Sequence, residues 1–499
     1  MMKSILLSTF IAALMSSTSS ALPVNLVTKR FYDEHMNRLR GDTSFPAPPD
    51  QYFSQRLDHF DFKNSQATNW NQRFWINATF FKDVANAPVF FYIEGEGAGS
   101  PYSVVNGEHV VLAQQYGALI VSLEHRFYGA SIPTSDYTTQ NMYYLSSHQA
   151  IADIAAFITL YLKPTFNLTL KNKFVTFGGS YPGALSAWAR LRLPHIVHTA
   201  LSTSSPVEAM IDFTGYNSVV ADSLSYPLVG GSDQCLQSMT QAFEAIDAAF
   251  TGPITEKHAM ATKLMSCTSL DGVNDTMWAA SNYASIIMGV VQYNIDGSGL
   301  DIRTVCQKMT QSGVAPIDAF AQVVQLQQGT TCLDNSYDDY VAQLNNTVAT
   351  PGGGLGLRQW TWQTCVEFAY YQTCEPDTMR CPFSRLMTLE SSYKQCQDGF
   401  GAVISNEVND YGVSQSNYLL GGNQIKGTRI IFANGDVDPW HYLSVYNQTN
   451  MDPRQPAVFI QGTAHCRNMY TPQPNDPLPL VSARGAINAY IAEFLAEPY

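Results

Sequence analysis

Basic residues and long apolar runs are scarce in this sequence of 499 residues. Lys and Arg total 28 against 41 Asp and Glu, and the net charge of −13 argues against a nucleic-acid partner. Beyond the N-terminal segment, no stretch approaches the ~20 uninterrupted apolar residues of a transmembrane helix. We therefore expect no stable membrane insertion and a soluble mature protein.

Metal-binding spacings are missing as well. The ten histidines include no HExxH pattern, and the nine cysteines include no CxxC pair. A metallopeptidase is therefore disfavoured, and we expect neither a metal nor another cofactor. No internal repeat or long low-complexity segment is present. Apolar residues make up 45% of the chain and charged residues 14%, which is typical of a well-packed globular protein.

The first 21 residues have the pattern of a signal peptide. Lys3 provides the positive start, residues 5–15 are apolar, and Ser19-Ser20-Ala21 is a small-residue cleavage site. Residues 22–50 are polar and contain proline, as expected of an N-terminal arm. The sequence thus predicts a secreted protein, or a lysosomal or other vesicular one.

Sequons and cysteines agree with that route. Eight cysteines lie between residues 235 and 396 and are expected to form up to four disulfides, although the sequence cannot choose the pairing. Cys466 is left over and is predicted to be unpaired. The candidate glycosylation sites are Asn77, Asn167, Asn274, Asn345 and Asn447.

Strand-like and helix-like segments alternate in two parts of the chain, which predicts a mostly parallel, doubly wound sheet. We assign residues 51–207 and 421–499 to the two parts of one α/β domain. Residues 208–420 contain most of the cysteines and are mainly helical in pattern, so we interpret them as an inserted cap. Strands are predicted at 72–81, 88–93, 118–123, 173–177, 199–202, 428–433 and 457–461, and helices at 147–162, 184–193 and 484–495.

The segment from Lys173 to Pro194 carries the clearest chemical signal. A short β-branched and aromatic run leads to Gly178-Gly179-Ser180, and a helix-forming run follows. This is the pattern of a nucleophile elbow, in which a sharp turn exposes the serine hydroxyl at a helix N-terminus. Pro182 stands where many elbows have glycine, and proline suits a first helical turn. An ordinary turn between a strand and a helix is the alternative.

A serine nucleophile needs a base and an orienting acid. In α/β-hydrolases the chain order is serine, acid and histidine, with the last two after late strands. The strand at 428–433 leads to Asp436 and Asp438, and the strand at 457–461 leads to His465. The required order is present, but the pattern does not choose between the two aspartates.

Five motifs stand in order along the chain: FSQRLDHF (53–60), EHRFYGAS (124–131), GGSYPGALSAW (178–188), NGDVDPW (434–440) and GTAHC (462–466). Together they resemble one family of serine peptidases, which contains lysosomal prolylcarboxypeptidase, dipeptidyl peptidase II and thymus-specific serine peptidase. The resemblance spans roughly residue 50 to the C-terminus and is nearest to the thymus-specific branch. It implies an α/β-hydrolase fold with a large helical, disulfide-bearing cap.

The resemblance assigns roles to individual residues. Ser180 matches the nucleophile, Asp438 the acid and His465 the base. The oxyanion hole would use the backbone N–H of Tyr181 and one from the loop at Gly95-Glu96-Gly97. Trp440 matches an aromatic that lines a proline-accepting pocket, although a packing role is the alternative. Arg126 is expected to be structural, as an ion-pair partner or a loop anchor, and a substrate role is the alternative.

The expected activity is that of a serine-type exopeptidase acting on peptides, with a preference for cleavage after proline. Carboxypeptidase and dipeptidyl peptidase action both stay open. Glu94 and Glu96 are candidates for attracting a substrate amine, although acidic loop residues are usually solvated. The rival functions are an esterase or lipase on the same sheet and a non-catalytic, hydrolase-like binding protein. A homodimer is also left open.

Overall fold

The computed structural model describes residues 46–63, 68–295, 299–349, 356–375, 380–446 and 452–499, together with the short strand at 22–23. The predicted signal peptide, most of the predicted arm and the sequon at Asn447 lie outside the described residues. In chain order, the strands are β1 Leu22–Pro23, β2 Gln51–Arg56, β3 Asn69–Asn77, β4 Val89–Ile93, β5 Leu119–Leu123, β6 Phe174–Gly179, β7 Val197–Thr203, β8 Met210–Asp212, β9 Leu333–Asp334, β10 Ala369–Tyr371, β11 Ile430–Gly435 and β12 Ala457–Ile460.

Helices fill most of the sequence between these strands. Two of them continue into π-helical segments, Ile158–Leu162 and Thr364–Phe368. In chain order, the helices are α1 Glu108–Tyr116, α2 Thr139–Met142, α3 Ser147–Phe157, α4 Lys163–Phe166, α5 Tyr181–Arg192, α6 Thr214–Leu224, α7 Asp233–Thr251, α8 Ile254–Lys263, α9 Val273–Gln292, α10 Ile302–Met309, α11 Pro316–Gln328, α12 Tyr337–Leu344, α13 Leu357–Gln363, α14 Leu389–Phe400, α15 Asn406–Leu420 and α16 Leu478–Ala496.

An eight-stranded sheet forms the centre, in the order β12-β11-β7-β6-β4-β5-β3-β2. Its strands from β12 to β5 pair in parallel, and β3 and β2 add an antiparallel edge. Helices pack on both faces of the sheet, so the inner strands are covered on both sides. Every residue of β4, β5 and β7 is buried. The predicted α/β-hydrolase fold, with its mainly parallel sheet, is confirmed.

Alternating side chains divide the core between the two faces of the sheet. In β4, Phe91 packs into the cluster that holds α3 and α5, whereas Phe90 packs into the cluster that holds α1 and α16. Trp188 of α5 and Phe494 of α16 are buried members of the two clusters. This arrangement follows from the two-residue period of a strand. The packing of α5 against the sheet fixes the position of this helix and of Ser180 at its N-terminus.

The structure corrects the sequence-based element bounds in several places. The predicted strand at 72–81 is β3, which begins at Asn69 and ends at Asn77. The predicted helix at 184–193 begins earlier, at Tyr181, because Pro182 is accommodated in the first turn. The closing helix begins at Leu478 rather than 484. Helix α1 and the short strands β8, β9 and β10 were not predicted.

The predicted helical, disulfide-bearing insertion lies between β7 and β11. It contains α6 to α15 and the short strands β8, β9 and β10. Strand β10 pairs in parallel with β8, and β9 pairs in parallel with β1 from the N-terminal segment. Its exact limits, 208 and 420, remain predictions. All eight cysteines of this region are paired, and Cys466 is free and buried, as expected. The disulfides are Cys235–Cys306, Cys267–Cys332, Cys365–Cys396 and Cys374–Cys381. No helix in the described part of the chain is both long and apolar enough to cross a membrane.

Candidate active site

Ser180 occupies a sharp turn between β6 and α5. Its φ of 63° lies in the left-handed region, which a residue with a side chain seldom adopts. Two main-chain hydrogen bonds hold it there: its N–H donates to the carbonyl oxygen of Thr203 (2.9 Å), and its own carbonyl oxygen accepts from Ala184 N–H (3.1 Å). The predicted strand, serine and helix arrangement is therefore present, with the serine at the helix N-terminus.

Close backbone approach explains the glycines around this turn. A Cβ on Gly178 would lie 2.0 Å from the carbonyl oxygen of Pro182, so only glycine fits. A Cβ on Gly95 would lie 2.4 Å from Cγ of the same proline, which brings the loop after β4 directly against the first turn of α5. Pro182 in place of the usual glycine is thus part of the packing between the two segments.

Asp438 and His465 meet at the end of the sheet. Nδ1 of His465 lies 2.9 Å from Oδ1 of Asp438, and both residues are buried, at 3% and 0% exposure. They follow β11 and β12, adjacent parallel strands whose carboxyl ends share one edge. Asp436 instead accepts a hydrogen bond from Gly462 N–H (2.7 Å) and holds the turn before His465. Of the two aspartates that the sequence left open, Asp438 contacts the histidine.

The Asp438 carboxylate raises the pKa of His465. Burial alone lowers the pKa of His465, but the adjacent Asp438 and the contact with Cys466 raise it, and the net result is a pKa well above the ordinary value. Oδ1 of Asp438 also accepts from the N–H of Trp440 (3.0 Å), which fixes the carboxylate. An imidazolium formed next to this carboxylate would be strongly stabilised.

Ser180 and His465 line one small cavity of about 40 Å³ together with Gly95, Glu96 and Gly97. Ser180 also lines a second cavity of about 520 Å³ on its other side. The serine therefore stands at the boundary between a tight space beside the glycine loop and a larger space beneath the cap. A cavity of this volume next to the serine has the size and position of a substrate site.

The large cavity is aromatic and nearly uncharged. Trp440 lies against Tyr370 and Tyr216, with ring centroids 5.4 and 5.5 Å apart. Neutral side chains such as Gln292 and several serines and threonines complete its wall. Among the described residues that line it, Glu96 is the one charged side chain. Burial raises the pKa of Glu96, and the charge of His465 opposes that rise.

Tyr181, the residue after the serine, is held by its side chain. Nδ1 of His125 lies 2.7 Å from the carbonyl oxygen of Arg126 and must donate to it, so Nε2 is an acceptor. The Tyr181 hydroxyl donates to that Nε2 (3.0 Å) and accepts from Nε2 of Gln363 in the cap (3.0 Å). Burial lowers the pKa of His125 to about 4, which keeps the imidazole neutral. The cap thus contacts the elbow directly.

Two other sequence candidates have structural surroundings. Arg126 is fully buried and makes two hydrogen bonds to Asp153, at 2.6 and 2.7 Å, as expected of a structural ion pair. Glu94 is also buried rather than solvated, and it accepts from the hydroxyl of Ser122 (2.7 Å). Burial raises the pKa of Glu94 to about 7. Glu94 is committed to these contacts, and of the two acidic loop residues Glu96 is the one that lines the large cavity.

The sequons differ in accessibility. Asn167 and Asn345 are exposed and Asn274 is partly buried. Asn77 is buried in β3, where its Nδ2 donates to the carbonyl oxygen of Val104 (2.8 Å). A glycan on that nitrogen would displace this contact, so Asn77 is the weakest of the four candidates in the described part of the chain.

Several residues at this site carry no sequence signal. Gln292, Tyr216 and Gln363 lie on cap helices, far along the chain from any recognisable motif. Only the fold brings them to the cavity. Across the described ranges, no group of three or more His, Cys, Asp or Glu side chains is arranged to hold a metal ion.

The sheet order and the serine turn define the protein as an α/β-hydrolase with a helical insertion. Comparison with known proteins narrows this class. The family model described as serine carboxypeptidase S28 matches residues 55–487. The thymus-specific serine protease of Mus musculus is 35% identical over 460 residues, covering 90% of this chain and 88% of that protein. The human lysosomal Pro-X carboxypeptidase is 27% identical, covering 92% and 91%.

The chain belongs to the serine carboxypeptidase S28 family, a family of serine peptidases, and the predicted resemblance is confirmed. Among solved structures, a proline iminopeptidase from Mycobacterium smegmatis aligns with 89% of this chain and 97% of its own, at 11% identity and a TM-score of 0.38.

Proposed function

We propose that the protein is a serine-type exopeptidase in which Ser180, Asp438 and His465 form the catalytic triad. The observation that carries this proposal is the 2.9 Å contact between Asp438 and His465, with His465 and Ser180 in the wall of one cavity. The left-handed backbone at Ser180 adds support, because strain of this kind is concentrated at functional sites.

The reaction follows from these groups. Nε2 of His465 takes the proton of the Ser180 hydroxyl as the serine oxygen attacks the scissile carbonyl carbon. Asp438 accepts from Nδ1–H and stabilises the imidazolium. His465 then donates the proton to the leaving amine, which departs and leaves an acyl-enzyme. A water molecule, deprotonated by His465, attacks the ester carbonyl, and the serine regains its proton.

The oxyanion of each tetrahedral intermediate would be held by backbone N–H groups. The N–H of Tyr181 is at the positive end of α5, and the loop at Gly95-Glu96-Gly97 borders the same small cavity. The packing of Gly95 against Pro182 keeps the two segments together. Removing one such donor typically slows a hydrolase by about 10²–10³-fold.

A preference for proline is supported by the wall around Trp440. A flat, apolar ring surface suits a pyrrolidine, which needs no partner for an N–H group. The indole is only partly buried and lines the cavity that contains Ser180. Trp440→Ala should therefore reduce kcat/KM for Xaa-Pro peptides more than for Xaa-Ala peptides. Equal losses on both would assign Trp440 to packing alone.

The charge of the cavity lining favours action at the N-terminus of the substrate. The acidic Glu96 and the absence of a basic side chain from the described lining suit an ammonium group better than a carboxylate. We therefore favour release of a short N-terminal piece over carboxypeptidase action. A peptide with a free amine should be cleaved faster than its N-acetylated form, and blocking the C-terminus should have little effect. The reverse ranking would indicate a carboxypeptidase.

A secreted or lysosomal location remains part of this proposal. It is supported by the signal-like N-terminus, the paired cysteines and the exposed sequons Asn167 and Asn345. The partner is a peptide substrate, no cofactor is required, and a homodimer is left open.

Replacement of the nucleophile tests the central proposal. Ser180→Ala should abolish peptide hydrolysis and fluorophosphonate labelling while secretion and thermal stability are retained. A second serine, within α5, provides the control. Ser186→Ala removes a buried hydroxyl that is hydrogen-bonded to the hydroxyl of Thr176 on β6. That variant should keep its labelling. Labelling that persists in Ser180→Ala would overturn the assignment.

A further inference from the structure

Gln292 joins the cap to both catalytic loops. It is the last residue of α9, and its carbonyl oxygen accepts from the backbone N–H of His465 (2.9 Å). Its side-chain Oε1 accepts from the hydroxyl of Tyr216 (2.7 Å) and from Nε1 of Trp440 (3.0 Å). One cap residue therefore contacts the segment of the base, the segment after the acid and the aromatic wall.

These contacts settle the orientation of the Gln292 amide. An indole N–H can only donate, so the group facing Trp440 must be the oxygen and not the NH₂. The nitrogen Nε2 is then fixed on the other side of the amide. Across the described residues, Nε2 makes no hydrogen bond to the protein. Since Gln292 lines the same large cavity as Ser180, an oriented and unused donor is available there.

We propose that Gln292 is a specificity-determining residue that donates from Nε2 to a carbonyl oxygen of the peptide substrate. This inference rests on the proposed function, in which a proline packs against Trp440. The carbonyl of that proline is attacked by Ser180 and moves into the oxyanion hole. The carbonyl of the residue before the proline remains, and it is the single polar group of a bond that has no N–H.

The match between donor and acceptor gives the residue a selective role. When a bound substrate displaces water from this cavity, a donor left without an acceptor is unfavourable. A peptide that presents the Xaa-Pro carbonyl to Nε2 avoids this loss, and a ligand without an acceptor there does not. Gln292 would thereby select peptides over apolar esters of similar shape and fix the register of the chain.

Gln292→Glu is the most informative variant, because a carboxylate keeps the acceptor for Tyr216 and Trp440 but removes the donor. The kcat/KM for an Xaa-Pro substrate should fall about 10-fold or more, mainly through KM. Gln114→Glu, at an exposed position of α1, controls for the added negative charge. A wild-type KM in Gln292→Glu would overturn the proposal.

A paired substrate isolates the contact itself. Replacing the Xaa-Pro carbonyl oxygen by sulfur weakens the acceptor and leaves the rest of the peptide unchanged. The wild type should lose activity on the thioamide, and Gln292→Glu should lose clearly less, giving a non-additive cycle. Equal losses in both proteins would overturn the proposal even if the variant folds poorly. Fluorophosphonate labelling of Ser180 in the wild type tests the proposed function separately from the role of Gln292. Failure of that labelling would overturn the proposed function.

Discussion

One oxygen of Asp438 carries two hydrogen bonds, from His465 and from the N–H of Trp440. The carboxylate therefore links the base to the aromatic wall of the cavity. Removing its charge would change the imidazole in two ways. The pKa of His465 would lose the contribution that raises it, and the tautomer with a proton on Nδ1 would no longer be favoured.

Asp438→Asn should separate these effects in a pH profile. In the proposed mechanism, peptide hydrolysis needs neutral His465, so kcat/KM should rise as the pH increases through the pKa of His465 in the free enzyme. In the wild type that pKa is raised, so activity should be lost on acidification starting above the ordinary histidine range. In Asp438→Asn the acidic limb should move to lower pH while the maximal rate falls by about 10⁴-fold.

Asp436→Asn is the matched control for this prediction. Asp436 is two residues away, but it bonds to Gly462 and not to His465. Its replacement should leave the pH of half-maximal activity in place. A profile that moves equally in the two variants would contradict the assignment of Asp438 as the acid.

At the residue scale, the position of a candidate residue could be predicted where a motif stood after a strand, and its catalytic role stays a prediction. Ser180, Asp438 and His465 each follow a run that the structure shows as β6, β11 or β12, and shared strand ends bring them to one edge. Gln292 could not be found in this way. Its position depends on how α9 of the cap crosses the cavity, and a single glutamine in a helix has no pattern of its own.

At the scale of elements, the π-helical segment Thr364–Phe368 is a junction between the cap and the sheet domain. Glu367 in this segment is buried and accepts from both the N–H and the hydroxyl of Ser147, at the start of α3. Burial raises its pKa to about 7, and the bonds from Ser147 act in the opposite direction. Gln363, one turn earlier, bonds to Tyr181 at the elbow.

Glu367→Gln should change how stability depends on pH. The pKa of Glu367 is about 7 when folded and close to 4.5 when unfolded, so the folded state holds its proton more tightly. Protonated Glu367 therefore stabilises the folded wild type at low pH, and this contribution to the free energy of unfolding is lost as the pH rises from about 4.5 to 7. The variant lacks that loss, so its Tm relative to the wild type should increase between pH 5 and pH 8 in calorimetry.

Glu493→Gln serves as the control, since Glu493 is an exposed residue of α16. Its Tm difference from the wild type should stay constant across the same range. A constant difference in Glu367→Gln as well would show that the buried carboxyl keeps its ordinary pKa.

Strands could be predicted accurately from the sequence where both of their faces are buried. Continuous apolar runs located β4, β5 and β11 within one or two residues, because inner parallel strands must be apolar throughout. Helix α1 has only nine residues, and a run this short has no helical period clear enough to predict it. The short strands β8 and β10 have three residues each and exist through pairing with one another, which no local pattern encodes.

At the scale of the whole molecule, the disulfides lie in the cap and not in the sheet domain. All four disulfides lie between β7 and β11, and the described part of the sheet domain has the single free cysteine Cys466. Two large apolar clusters pack against the sheet, and one of them continues into the cap helices, where it includes Phe243 and Ile287. The cap helices, which surround the aromatic cavity, have these cross-links in addition to their apolar contacts.

The Cys365–Cys396 disulfide closes 31 residues beside the large cavity, which Cys396 lines. Replacing both cysteines by serine should lower the free energy of unfolding of the cap by about 3–4 kcal/mol, because the unfolded chain regains loop entropy. KM should rise, since the wall of the cavity loses its support. The Cys374–Cys381 pair closes only 7 residues, so its removal should cost about 1 kcal/mol less. Denaturant unfolding followed by protease susceptibility measures both variants. If the short-loop variant proves the less stable of the two, native contacts rather than loop entropy determine how these cross-links hold the cap over Ser180.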